Sequence, residues 1–265
     1  MRKSSTLLSR ATLRRQLSTT ASSSRLTLSA VEGPLEPPLV SKTLPAYFRD
    51  DILRVHGARP ALIARQEQAR PHGGPRSRNL GDAAHLAWDF GEFDRHIQAL
   101  ARGLLDLGVK KGDRVGVIMG NNRCVAVSGG TQRLDDETVR PGLQVSTLKL
   151  VGVSHLFVVP RIRSSVYVRM LCDAFPALAS SRPGDIQEAA LPDLRHLVVV
   201  DNTGELKQFE RELEGVRPAV DFREVMVWRE DTAERRRVED IMAGLGVDDV
   251  INLQFTRCVG GLLPG

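Results

Sequence analysis

The chain has 265 residues, 42% hydrophobic and 26% charged, with a formal net charge of +5. That length and balance exclude a disordered chain and allow one large domain or two small ones. No run approaches the ~18 consecutive apolar residues that cross a bilayer. The positive charge does not describe a nucleic-acid surface. Arg2, Lys3, Arg10, Arg14, Arg15 and Arg25 all fall within residues 1–31, which contain no acid, and the remaining 31 basic and 32 acidic residues nearly cancel. A nucleic-acid interface needs basic residues clustered on the folded part. Cys124, Cys172 and Cys258 show no paired spacing, which fits a reducing compartment better than a disulfide framework.

Residues 1–30 are rich in Arg, Ser, Thr and Leu, the composition of a mitochondrial presequence that forms a basic amphipathic helix on an anionic membrane. Leu7, Leu8, Ala11 and Leu13 share one helical side, and Arg15-Gln16-Leu17-Ser18 resembles a site cut after Leu17. The expected destination is the mitochondrial matrix. Residues 31–42 follow as a linker, because Pro34, Pro37 and Pro38 oppose helix.

Thr43 is placed to cap a helix whose apolar side is Leu44, Phe48, Ile52 and Val55, with Gly57 as its stop. Ala61–Ala64 reads as a strand, 70–82 as a loop, and Leu86-Ala87-Trp88 as the returning strand. Asp89 with Glu92 forms a variant capping box. The helix it opens has a stripe at Phe93, Ile97, Leu100 and Leu104, widened by Ala101, and Gly108 ends it. Asp113 to Met119 reads as a buried strand. Residues 123–143 are Gly-rich and polar and read as an irregular loop, long for a compact domain.

The alternation then resumes. Strands are expected at His155–Val159, Leu197–Val200, Val225–Trp228 and Val250–Phe255, the last one buried. Ser164 is expected to cap a helix running to Phe175 with Pro176 as its stop, and Val238–Leu245 to form a short helix. Strands alternating with helices predict an α/β fold with a mainly parallel sheet and flanking helices. Arg235-Arg236-Arg237, set among acids, reads as a solvated helix face. The histidines His56, His72, His85, His96, His155 and His196 show no metal-ligand spacing. His155 and His196 each open an apolar strand and read as packing or edge residues.

Four segments bear a family resemblance. Leu86-Ala87-Trp88-Asp89-Phe90-Gly91-Glu92-Phe93 looks like the L-T-Y-x-E-L opening of the AMP-forming (adenylate-forming) enzymes. The run from Ala99 to Val115, containing Leu107-Gly108-Val109-Lys110-Lys111-Gly112-Asp113-Arg114-Val115, strongly resembles the same family. Met119-Gly120-Asn121-Asn122 matches its next element, and Gln254-Phe255-Thr256 matches the Q-F-T that precedes the loop S-G-T-T-G-x-P-K. Together they point to acyl-CoA synthetases of the mitochondrial medium-chain type. The resemblance covers roughly 43–122 and 146–256.

The resemblance implies that 43–265 is a truncated front part of the large N-terminal α/β domain of that fold. Family members join a carboxylate to ATP with magnesium, release pyrophosphate and pass the acyl group to CoA. Their phosphate loop supplies N–H groups and hydroxyls around the phosphate oxygens. Thr256 would be the first residue of that ATP loop and the one cofactor-binding candidate; no catalytic or metal-binding residue is assigned.

Two departures follow. Residues 123–145 lack the family's A-x-x-x-G-A pattern, and 257–265 replace the phosphate loop with Arg257-Cys258-Val259-Gly260-Gly261-Leu262-Leu263-Pro264-Gly265. Both abut well-matched sequence, the pattern left by altered splicing or a shifted reading frame. Gly260-Gly261 and Ser128-Gly129-Gly130-Thr131 read as a disordered tail and a plain loop rather than anion nests, and Cys258 as an inert exposed thiol. The expectation is therefore a catalytically silent synthetase fragment that needs no cofactor itself. The alternative is a non-catalytic mitochondrial module docking on a full-length synthetase paralogue. A bare fragment would engage only chaperones.

Overall fold

The computed structural model describes residues 36, 38–69, 72, 74–75, 80–81, 84–119, 147–162, 164–231 and 233–252. The fold lies within the compact unit that begins at Ser41. Helix α1 runs from Leu44 to His56. Thr43 caps it as expected, its hydroxyl accepting the Ala46 N–H at 3.4 Å. Its middle, Phe48–Leu53, is a π-helix. The wider turn rotates the side chains out of the expected single stripe. Leu44 and Val55, on either side of it, are 53% and 56% exposed, while Phe48 meets Phe90 and Phe93 edge-on at 6.3 and 6.1 Å. Gly57 ends the helix in right-handed geometry, at φ −47°, not as a left-handed cap.

Strands β1 (Pro60–Gln68) and β2 (His85–Asp89) form the expected antiparallel pair. Helix α2 (Phe90–Asp106) starts directly after β2, and the Asp89 carboxylate accepts the Glu92 N–H at 2.7 Å. Its buried residues are Glu92, His96, Ala99, Leu100, Arg102, Gly103 and Leu105. The buried face is thus turned from the predicted stripe, of which Phe93, Ile97 and Leu104 are only half-buried. The cause is a close crossing. A Cβ placed on Gly103 would lie 1.5 Å from the Val225 carbonyl oxygen, so the helix can approach only on its glycine side.

Strand β3 (Val115–Ile118) opens a four-stranded parallel sheet with β4 (His155–Val158), β5 (His196–Val199) and β6 (Ala219–Asp221), in that spatial order. The sheet is buried on both sides, as continuous apolar strands require. Ile118, Leu156, Val158, Leu197 and Val199 face a core built with Val168, Leu171, Leu178 and Phe209. Val117, Phe157, Val159, Val198 and Val200 face the other way, onto Leu86, Trp88, Leu100 and Phe222. Each such fully buried aliphatic side chain contributes about 1.5–3 kcal/mol.

Four expected elements are corrected. The helix assigned to Ser164 begins at Tyr167 and runs to Ala174, because Ser165–Val166 first pair with Arg161–Ile162 in a small hairpin. Pro176 ends that helix and also opens the next, Pro176–Ser180, where its missing N–H costs nothing. Val225–Trp228 is not a strand. The strand lies earlier, at Ala219–Asp221, and Asp221 then caps the short helix Phe222–Val225 by accepting the Arg223 N–H at 2.8 Å. The segment after it lies against α2: Val227 N–H donates to the Ala99 carbonyl at 3.1 Å, and Arg102 Nε donates to the Val227 carbonyl at 2.9 Å.

The last described helix is Ala233–Ala243, earlier than expected. Arg235, Arg236 and Arg237 are exposed on it as anticipated, with Arg235 3.2 Å from Glu239. Of the expected buried strand Val250–Phe255, Val250 and Ile251 are outside any strand and 78% and 62% exposed, while residues 253–255 lie outside the described residues. The expected 123–143 loop lies outside the described residues.

Candidate functional site

The turn between α2 and β3 contains the chain's most specific motif, and its residues act structurally. Gly108 and Gly112 adopt φ +83° and +94°, a region costly for residues with a Cβ. Directly after Gly112 the Asp113 carboxylate accepts the Lys110 N–H at 3.0 Å, pairs with Arg195 at 2.9 Å and accepts from His155 Nε2 at 3.3 Å. Asp113 thus joins the turn to the amino ends of β4 and β5. Burial pushes its carboxyl up, but the bonds from Lys110, His155 and Arg195 outweigh that and hold it below the ordinary carboxylate range.

His155 and His196 are direct neighbours in the parallel register of β4 and β5. Their rings lie 10° from parallel, and the two Nδ1 atoms are 3.1 Å apart. The sequence reading treated each as a separate packing or edge residue. It missed that they meet, although both occupy the first position of similar apolar runs, His155-Leu156-Phe157-Val158 and His196-Leu197-Val198-Val199.

A second group surrounds the buried Trp88. His96 stacks on its indole at 3.8 Å between centroids and meets Trp228 edge-on at 4.9 Å. His72 packs against Phe222 at 5.0 Å. Among the described residues no cluster of three metal-ligating groups occurs, and no helix there is long and apolar enough to cross a membrane.

The carboxyl ends of parallel strands are the usual ligand side of such sheets. Here Asp201 follows β5 and Asp221 closes β6. Arg223 pairs with Asp221 at 2.5 Å and lies 3.8 Å from Asp201. Arg161 pairs with Glu212 at 2.8 Å, and Asn202 donates to the Arg161 carbonyl at 2.6 Å. Among the described residues at this end, the Arg223 guanidinium is engaged by Asp221 and lies near Asp201, and Arg161 is engaged by Glu212. Thr256, Gly260, Gly261, Cys258 and Ser128–Thr131 lie outside the described residues.

The parallel sheet with helices on its faces is a partial α/β architecture, and in sequence the chain is similar to curated acyl-CoA ligases. It is similar to the mitochondrial medium-chain acyl-CoA ligase of Danio rerio, with 25% identity over 248 residues, covering 91% of this chain and 36% of the relative. The rat protein of the same name is 24% identical over 181 residues, covering 66% of this chain and 26% of its own length. An acyl-CoA ligase of Beauveria bassiana is 33% identical over 94 residues, covering 36% and 13%. The chain therefore spans about a third or less of the length of these relatives. No protein-family profile matches it. Among solved structures, the adenylation domain of a Mycobacterium chelonae carboxylate reductase aligns with 71% of this chain and 28% of its own, at 18% identity and a TM-score of 0.46.

Proposed function

We propose that this chain is a front portion of a mitochondrial medium-chain acyl-CoA synthetase and that a polypeptide of these 265 residues forms no acyl adenylate. The similarity to the Danio rerio ligase over 91% of the chain supports the first part. The second rests on residues 257–265, which follow Thr256 with two adjacent glycines but no lysine and no hydroxyl. Adenylation needs phosphate donors, metal and lysine in one preorganised site, and removing one such donor costs about 100- to 1,000-fold. In this reading residues 1–30 direct import to the matrix, 31–42 are a linker and 43–265 are scaffold. Thr256 marks the start of the lost ATP loop.

The test is AMP release from ATP with medium-chain fatty acids and CoA, beside a full-length synthetase. The expected result is no rate above background. Acyl-CoA formation abolished by Thr256→Ala or Gly260→Val would overturn the silent reading and make 257–265 a working loop. A second reading, a module that docks on a full-length synthetase, draws on the exposure of Val250 and Ile251. Co-purification of a paralogous synthetase would support it; recovery of chaperones alone would reject it.

A further inference from the structure

The amino end of the parallel sheet holds a hydrogen-bonded chain of three titratable groups, at the end opposite to the usual ligand side of such sheets. His155 is fully buried, and His196 beside it is half-buried. An ionised Asp113 can only accept, so His155 carries its proton on Nε2 and leaves Nδ1 bare. The Nδ1–Nδ1 contact of 3.1 Å then requires His196 to donate from Nδ1, and His196 Nε2 is left without a proton. The order of donation runs from His196 to His155 to Asp113.

The charged surroundings come from three segments. The turn before β3 brings Asp113 and Arg114. The segment before β5 brings Asp193, which lies with Arg114 against Gly152, and Arg195, which pairs with Asp113. The turn 182–185 places Gly184 against His196 Nε2, with Arg182 and Asp185 flanking it. Backbone bonds cross the same place: Ser154 N–H to the Arg114 carbonyl at 2.9 Å and Arg195 N–H to the Ser154 carbonyl at 2.8 Å.

We propose that Asp113, His155 and His196 form a proton-operated latch at the amino end of the sheet. It holds β4, β5 and the turn before β3 together while the histidine pair has at most one added proton, and it releases them when the pair has two. The first proton enters at the bare His196 Nε2, and the Nδ1–H donation to His155 survives. The second has only His155 Nδ1 to enter, which is the acceptor of that bond. Two N–H groups and two cations then face each other, and the single Asp113 carboxylate offsets only one charge.

The direction of the pH effect follows from burial. Burial lowers the pKa of both histidines, opposed at His155 by its bond to Asp113 and reinforced at His196 by His155 and Arg195. An unfolded histidine takes up its proton near pH ~6.5. Unfolding therefore binds protons below that value, so the latch's stabilisation is present above it and is lost on acidification toward the lowered folded values.

Two measurements test the latch on the full chain. In wild type labelled with 13Cε1-histidine, the pair should titrate in two coupled steps, both below the ordinary histidine value and the second well separated from the first. Amide protection of Leu156 and Leu197, corrected for intrinsic exchange, should fall with that step. In urea unfolding at pH 7.5 and 5.5, His196→Asn keeps a donor toward His155 but cannot titrate. The acid-induced rise of its unfolding constant should be roughly five- to tenfold smaller than in wild type. Independent titration of both rings near ~6.5 with unchanged protection, or a variant with the wild-type pH response, would overturn the latch. If His196→Asn fails to fold, the wild-type titration decides alone.

Discussion

Gly103→Ala is the sharpest probe of how α2 is seated. The substitution removes a helix-interior glycine and by propensity alone should stabilise by about 0.5–1 kcal/mol. The structure reverses the sign. The new Cβ would sit 1.5 Å from the Val225 carbonyl oxygen and 2.7 Å from its carbon, and backbone cannot step aside as a side-chain tip can. Either α2 or the Phe222–Val225 turn has to move, at an overpacking cost of about 1–3 kcal/mol. That movement also strains the Arg102–Val227 and Val227–Ala99 bonds, 2.9 and 3.1 Å long, each worth about 0.5–1.5 kcal/mol net.

With the propensity gain subtracted, the sum is a destabilisation of about 1–5 kcal/mol, or a fall of about 0.5–2.5 M in urea midpoint. Gly91→Ala is the control on the same helix. Its Cβ would meet nothing closer than the Asp89 carboxylate at 3.4 Å, so it should be neutral or slightly stabilising. Urea unfolding followed by the fluorescence of Trp88 and Trp228 reads both. A Gly103→Ala midpoint equal to or above that of Gly91→Ala would refute the close crossing.

Asp89→Ala removes the carboxylate that accepts the Glu92 N–H and should cost about 0.5–2 kcal/mol in the same assay, with Asp89→Ser recovering most of it. A fluorescent reporter fused to residues 1–31 should enter mitochondria, because that stretch is basic and free of acids; a reporter retained in the cytosol would reject the presequence.

Much of the fold was legible in the sequence because its causes are local. Asp89 three residues before Glu92, and the unbroken apolar runs after His155 and His196, act through bonds and burial that any neighbourhood supplies. The resemblance around Asp113 pointed to acyl-CoA synthetases, yet not to Asp113 as a structural tie. What only the tertiary structure decided are relations between distant segments. The parallel register set His155 against His196, 41 residues apart in the chain, and a one-residue slip would have separated them. The Val225 carbonyl chose the glycine face of α2 over its more apolar stripe, since backbone approach is limited by Cβ volume rather than hydrophobicity. The Asp221 cap ended β6 and drew Val225 into a helical turn although Val225–Trp228 reads as a strand. Val250 and Ile251 are apolar but exposed, because burial depends on what stands opposite a residue, and no pattern within one segment encodes that.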